Sequence, residues 1–298
     1  MHIFDGTTFA KTKELALTQA VAELRTKGKK SVIASVYFTE DSGSQLYTQL
    51  KQAAATRVGI EYRLYPFSLQ GKSETVVEQI QQLNQDTNVT GIIIQKPWQR
   101  TWQKAVLVEG EPKDVRQAYA AWWTYLTSAL SPAKDVDGLH PSTMQAIEQG
   151  TRLQEGKVMP ATAQAVLEIL KQAQELIAPT AKYVLIGRSD LLGVPLYFEL
   201  MSQGKNVELI GKRALDERIA SGKKLLDADV VVSATGVADL ITGDLLKEGV
   251  VVVDVGEPKP DVERSSVVEK AAFLTPVPGG VGPMTIVCLL ENSVKLLL

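Results

Sequence analysis

Histidine and cysteine are almost absent from the sequence. Cys288 is the single cysteine, so no disulfide can form within the chain. His2 and His140 are the only histidines, and a Cys/His zinc cluster cannot be assembled from this inventory. No metal site is expected. Ser-His-Asp or Cys-His catalysis would have to use His140, because His2 lies at the terminus. Acid-base chemistry therefore falls to Lys, Tyr, Asp or Glu, or to a cofactor. Neither sign of charge dominates: 32 Lys and Arg face 34 Asp and Glu, a formal net charge of -2. That excludes the basic footprint of a nucleic-acid surface or a polybasic membrane patch. Long hydrophobic runs are missing too; 250–253 is among the longest and is far too short to span a bilayer. The opening MHIFDGTTFAKTKE lacks the apolar stretch of a secretory signal. A cytoplasmic protein without nucleic-acid or membrane partners is expected.

What is present is ordinary for a globular chain: 45% apolar and 22% charged residues over 298 positions. About two domains are expected at this length. The first part alternates helix and strand patterns. Residues 10–27 predict a helix, with Leu15, Leu17, Val21 and Leu24 near one stripe. A β-rich strand follows at 31–38 (SVIASVYF), then a helix at 42–57 ending near Gly59, a strand at 60–65, a helix at 73–83 and a strand at 91–95 (GIIIQ). This alternation argues for a parallel α/β sheet. The stretch 98–131 differs: it holds all four tryptophans, Trp98, Trp102, Trp122 and Trp123, with a helix at 118–130. These aromatics read as a local core or a subunit contact, with a substrate lid as the alternative. A helix at 162–177 is stopped by Pro179 and leads into a second α/β run. Its strands are 183–186, 207–210, 230–233 and 250–255, with a helix at 194–203. A final helix at 283–298 carries Pro at its start.

The second run bears a nucleotide signal. In LIGRSDLLGVP, Gly187 permits a tight strand-to-helix turn and Gly193 lets the helix pack closely. The helix N-terminus would offer free N–H groups to phosphate. Ser189 and Leu192 stand where G-x-G-x-x-G has its second and third glycines, so a plain βα turn remains open as a reading. Thr235 and Gly236 follow one later strand, and Gly256 with Glu257 follows another. Ligands on such sheets bind beyond the carboxyl ends of strands. Arg188, Lys212 and Arg213 supply positive charge where a 2′-phosphate would lie, which favours NADP, with NAD as the alternative.

Four further segments carry chemistry. Tyr47 and Lys51 in SQLYTQLK are four apart and share a helical face, although such a pair also suits a plain surface. Gln95 ends a strand in GIIIQKP. KDVDGLHP (134–141) reads as a polar turn on its own. TPVPGGVGPMT (275–285), with its clustered glycines and prolines, reads as a loop that brings backbone close to a ligand.

Together and in this order, these segments resemble the bifunctional methylenetetrahydrofolate dehydrogenase/methenyltetrahydrofolate cyclohydrolase family, from about Asp5 to the C-terminus. TPVPGGVGPMT and GRSxxxGxP are the most specific matches, supported by KDVDG and YxxxK. The resemblance implies an α/β fold of two domains, an α/β catalytic domain and a Rossmann-type parallel-sheet domain with a cleft between them. The expected boundaries are 1–142 plus 279–298 for the catalytic, folate-binding domain and 143–278 for the NAD(P)-binding domain. It further implies a homodimer acting on tetrahydrofolate one-carbon derivatives. Lys51 would be the catalytic lysine, Gln95 the glutamine beside it, and Tyr47 the residue stacking on the folate. Asp137 would bind the pterin, whose 2-amino group and ring N–H one carboxylate can accept. Ser44, Pro278, Gly279 and Gly280 would complete the substrate site. Gly187, Arg188, Ser189, Gly193, Gly211, Lys212, Thr235, Gly236, Gly256 and Glu257 would face the cofactor. The implied reaction is hydride transfer from 5,10-methylenetetrahydrofolate to NAD(P)+, then hydrolysis to 10-formyltetrahydrofolate.

The pattern also departs from the family. The P-C-T-P-x-G segment is here Pro160, Ala161, Thr162, Ala163, Gln164, Ala165. C-H-S after the second Rossmann strand is Ile210, Gly211, Lys212, and G-I-N is Gly256, Glu257, Pro258. A cyclohydrolase without dehydrogenase activity and a folate- or nucleotide-binding protein without turnover stand as alternatives.

Overall fold

A computed structural model describes residues 1–107 and 114–298 of the chain. The first half runs β1 (His2–Ile3), α1 (Gly6–Thr26), β2 (Val32–Phe38), α2 (Ser42–Val58), β3 (Glu61–Phe67), α3 (Ser73–Gln85), β4 (Gly91–Ile94), α4 (Gln99–Val106), α5 (Val115–Thr127) and α6 (Pro141–Glu148). The second half runs α7 (Ala161–Gln172), β5 (Lys182–Ile186), α8 (Gly193–Ser202), β6 (Asn206–Ile210), α9 (Lys212–Ala220), β7 (Val230–Ser233), β8 (Val250–Asp254), α10 (Arg264–Val267), β9 (Ala271–Leu274) and α11 (Val281–Lys295). Among the described residues no helix is long and apolar enough to cross a membrane.

Two compact units emerge. One comprises Met1–Lys13, Ile147–Thr151 and Met159–Cys288; the other comprises Glu14–Ala146, Arg152–Val158 and Leu289–Leu298. The second contains a three-stranded sheet of order β3-β2-β4, parallel throughout. β2 is buried along nearly its whole length because it lies between two neighbours. That is why VIASVYF is a nearly continuous apolar run rather than an alternating one. Lys134 ties the connection after α5 to the end of α3, donating to the carbonyls of Leu83 and Asp86 at 3.0 and 2.8 Å. Leu83 lends one of the unpaired carbonyls that a helix C-terminus leaves, and the Asp86 carbonyl just beyond it also accepts from Val89 N–H.

The first unit holds a six-stranded sheet of order β1-β9-β8-β7-β5-β6, again all parallel. Chain progression reverses between β5 and β7, which opens a crevice beyond their carboxyl ends. β1 covers the free edge of β9, pairing His2 with Phe273 and Ile3 with Leu274. Phe4 is buried beside Phe9 and Phe273. This pairing seats the first strand with the larger sheet, whereas the expected boundary grouped it with residues up to 142.

Several boundaries move for identifiable reasons. The helix expected at 118–130 starts at Val115, because Asp114 accepts from the N–H groups of Arg116 and Gln117 and caps it. The helix expected at 162–177 ends at Gln172 and tightens into a 3-10 turn over Gln174–Leu176. In the tryptophan-rich stretch, of which 108–113 lie outside the described residues, Trp102 packs against Tyr119 and Trp122, with centroids at 5.3 and 5.8 Å. Trp122 in turn meets Phe38 of β2 at 5.5 Å. Most of the indoles thus form a local core over the smaller sheet, and Trp98 stands apart.

Candidate active site

The buried Asp41 organises the first cluster. Its carboxylate accepts from the backbone N–H and hydroxyl of Ser44 at 3.3 and 3.2 Å, which caps α2. It also accepts from the N–H of Trp98 and the hydroxyl of Thr101, both at 3.2 Å, and so fixes the start of α4. Ser44 is therefore buried with its hydroxyl committed to the cap. From there Tyr47 and Lys51 follow at helical spacing, Tyr47 half-buried and Lys51 only 4% exposed. The Lys51 ammonium donates to Gln95 Oε1 at 2.9 Å and lies 3.8 Å from Asp137 Oδ2. Gln95 is positioned by its own N–H, which donates to Val36 of β2 at 2.8 Å. Burial pushes the Lys51 pKa below its ordinary value, and the Asp137 charge opposes that shift. An amine so placed can exchange protons nearer neutrality than an exposed lysine.

The two aspartates of KDVDG divide their work. Asp135 is buried and accepts from the N–H groups of Leu139 and His140 and from the hydroxyl of Thr143. Burial raises its pKa to about 6, with those donors pulling the other way. It shapes the loop, whereas Asp137 points at Lys51. The buried Tyr62 hydroxyl lies near enough to Asp137 to feel its charge; burial first, then that charge, raises the Tyr62 pKa. His140 closes the turn into α6: its Nδ1 accepts from Ser142 N–H at 3.0 Å, and burial and the Lys157 charge lower its pKa.

The second cluster lies at the carboxyl edge of the larger sheet and is made of backbone. A Cβ added to Gly187, whose φ is 117°, would sit 2.4 Å from the Ala234 carbonyl, and one added to Gly193 would sit 1.8 Å from the Gly187 carbonyl. Only glycine allows the turns after β5 and β7 to abut while α8 starts against them. The positive dipole end of α8 thereby lies beside this turn. Ser189 accepts from Val194 N–H through its carbonyl, and Arg188 is exposed. The Arg188 chain passes Gly211, with its Cδ 3.8 Å from where a Cβ would stand. Lys212 and Arg213 open α9 exposed and pair with Asp216 and Glu217 one turn on.

Two buried acids absent from the expected site stitch this edge. Asp261 Oδ2 accepts from Ser233 Oγ, Thr235 N–H and Thr235 Oγ1 at 2.7, 2.6 and 2.9 Å. Thr235 is thus spoken for, and Gly236 beyond it is exposed. Asp254 accepts from Gly256, Asp261 and Val262 N–H groups at 2.8, 3.1 and 3.1 Å, folding the 256–261 loop with Glu257 exposed. Burial raises the Asp254 pKa to about 6, partly offset by those donors, while the Asp261 charge adds to the rise. Thr275 bonds across to Asp254, and the following loop leads through exposed Pro278 and half-buried Gly279 to buried Gly280, whose N–H donates to Pro276. A carboxylate ending the run VVVVD was a signal for Asp254, and an acid just before a capped serine was one for Asp41. Nothing local marked Tyr62 or Asp261.

Residues 4–115 match the catalytic domain of tetrahydrofolate dehydrogenase/cyclohydrolase, and residues 160–298 match its NAD(P)-binding domain. The chain is 33% identical to a bifunctional protein FolD from Staphylococcus aureus, over 98% of this chain and 94% of that one. Its fold matches a bifunctional FolD methylenetetrahydrofolate dehydrogenase/cyclohydrolase from Campylobacter jejuni with a TM-score of 0.83 at 30% identity, covering 99% and 98% of the two chains. It also matches the methylenetetrahydrofolate dehydrogenase-cyclohydrolase of Trypanosoma brucei, solved with NADP cofactor and an inhibitor, with a TM-score of 0.82 at 27% identity, covering 99% and 96%. The chain belongs to the tetrahydrofolate dehydrogenase/cyclohydrolase family, as a methylenetetrahydrofolate dehydrogenase and methenyltetrahydrofolate cyclohydrolase in one polypeptide.

Proposed function

We propose that Lys51, Gln95, Tyr47 and Asp137 carry the folate chemistry of this enzyme. The observation that carries the assignment is the buried Lys51 ammonium held between the Gln95 amide and the Asp137 carboxylate. Asp137 binds the pterin, and Tyr47 stacks on the folate. Ser44 fixes the turn before Tyr47, and Pro278, Gly279 and Gly280 form the loop that closes on substrate. In this reading the chemistry is divided between a folate domain of 1–142 plus 279–298, apart from the first strand that pairs with the larger sheet, and a cofactor domain of 143–278.

The residues at the second cluster fit a dinucleotide: Gly187 and Gly193 let the turns after β5 and β7 and the start of α8 pack at backbone distance, which sets a helix N-terminus at the strand ends. A bound nicotinamide supplies the hydride acceptor. Gly187, Ser189, Gly193, Gly236 and Gly256 would lie along it, and Glu257 would stand at its rim. The protein's part in the oxidation is to align donor and acceptor carbons. In the hydrolysis, water adds to the methenyl carbon, its bond to N5 breaks, and one proton is released as 10-formyltetrahydrofolate forms. Lys51 takes up and returns protons in that step, with its pKa lowered by burial. Gln95 orients the amine without adding charge.

NADP is the preferred cofactor in this reading. Arg188 passing Gly211 beside the α9 N-terminus, with Lys212 next, supplies cationic groups for a 2′-phosphate. Parallel assays of methylenetetrahydrofolate with NADP and with NAD test this. The expected kcat/KM favours NADP by about tenfold, and Arg188→Ala narrows that ratio; equal turnover with both refutes it. The active species is a homodimer in the cytoplasm, and sedimentation at a monomer's mass would refute the dimer.

A further inference from the structure

Trp98 has no place in the aromatic core. Trp102 and Trp123 are 2% and 3% exposed, and Trp122 is tied to Ser73 by its indole N–H at 3.0 Å. Trp98 is 46% exposed and shares none of the ring contacts that unite those three. Yet it is firmly held. Its backbone N–H donates to Asp41, the acid that caps α2. Its indole lies on the bare backbone of Gly43: a Cβ there would come within 2.7 Å of the indole nitrogen. Any residue other than glycine at 43 would push the ring away. An exposed indole is thus fixed against the first turn of the helix that carries Tyr47 and Lys51.

Gly43, Tyr47 and Lys51 follow at intervals of four, so they climb one side of α2 in steps of about 6 Å. The indole at Gly43 stands one step beyond Tyr47 and two beyond Lys51. A reduced folate has the same linear order: the pterin, then the p-aminobenzoyl ring, then the glutamate. We propose that Trp98 is a further substrate-binding residue, whose indole face carries the p-aminobenzoylglutamyl end of the folate beyond Tyr47. A flat, exposed, preordered aromatic surface suits an aryl amide, and its ordering cost is met before substrate arrives.

This rests on the folate reading of Lys51, Tyr47 and Asp137, and the test separates the two. Trp98→Ala and Trp98→Phe are assayed for KM and kcat with methylenetetrahydrofolate, alongside tryptophan fluorescence during titration with tetrahydrofolate and with tetrahydropterin, which lacks the aryl ring. Trp98→Ala is expected to raise KM about five-fold with kcat within about two-fold of wild type. Trp98→Phe, which keeps a flat ring, restores most of the KM. Tetrahydrofolate quenches wild-type emission, and Trp98→Phe loses that quenching. Tetrahydropterin binds wild type and Trp98→Ala equally. An unchanged KM in Trp98→Ala, or quenching that persists in Trp98→Phe, overturns the proposal while wild type stays active. A wild type that neither binds nor turns over folate overturns the parent reading instead.

Discussion

The two clusters are built from different materials. Around Lys51 the geometry is made by side chains: an amine, an amide and a carboxylate held at 2.9 and 3.8 Å in a buried place. Along the edge of the larger sheet it is made by main chain, with turns pressed together at Gly187 and Gly193 and the cationic side chains left in solvent. Burial tunes the first site by changing what a lysine can do. The second is tuned by where a backbone can go. Damage to the first should remove chemistry or substrate affinity; damage to the second should remove the cofactor's seat and spare the hydrolysis.

The largest expected effect comes from Lys51→Met, which keeps the buried stem and deletes the proton carrier. Methenyltetrahydrofolate hydrolysis, followed by loss of methenyl absorbance, should fall on the order of 10³-fold. Hydrolysis at the wild-type rate would remove Lys51 from its assigned role. Next comes Gly193→Ala. Its Cβ would lie 1.8 Å from the Gly187 carbonyl, so the turn must open. Dehydrogenase kcat/KM should drop about 100-fold, while hydrolysis of supplied methenyltetrahydrofolate stays within about two-fold. Equal loss of both activities would break the division between the clusters.

Asp137→Ala should weaken folate binding by about 2 kcal/mol, roughly 30-fold. A titration with tetrahydrofolate that matches wild type would refute the pterin contact. The same variant sharpens the account of Lys51, because the carboxylate also opposes the fall in the lysine's pKa. Without it the hydrolysis profile should keep its activity to lower pH.

How much of this was legible depends on where the determinants sit in the chain. Strands such as β2, β7 and β8 are apolar on both faces, and the helix at α2 runs from an acid cap to Gly59, so local pattern was enough. That Tyr47 and Lys51 share one helical face was legible because four residues make about one turn. α9 was not: KRALDERIA has little apolar stripe, burying Leu215 and an Arg218 paired with Asp227, and two lysine- and arginine-acid pairs support its exposed side. β9 has only four residues, and α4 is a polar octet whose start is fixed by Asp41, far back in the chain. At the site, local spacing leaves YxxxK open as a surface pair and KDVDG as a polar turn; the resemblance alone singles out Lys51, Gln95 and Asp137, and nothing foretells that Asp135 folds the loop while Asp137 faces the amine. Asp261 and Tyr62 act across strands, through distances that no local spacing encodes.

Asp254 offers the smallest effect and the finest test of the backbone-built cluster. Its pKa is raised from 3.8 to about 6, chiefly by burial. A carboxyl raised in the folded state binds a proton that the unfolded chain has already lost. Its contribution to stability is therefore full below the unfolded pKa and disappears as pH rises through about 6. Between pH 5 and 7 that amounts to about 1 kcal/mol of lost stability. Asp254→Asn keeps an acceptor oxygen for the 256–261 loop but cannot ionise. Urea unfolding at the two pH values should show the wild-type difference shrinking by about that amount in the variant. An unchanged difference would mean that the three N–H donors already hold the carboxylate ionised at pH 5. The cofactor edge would then be set by charge-assisted bonds, as the Lys51 cluster is, and the contrast between the two sites would narrow to a difference in exposure.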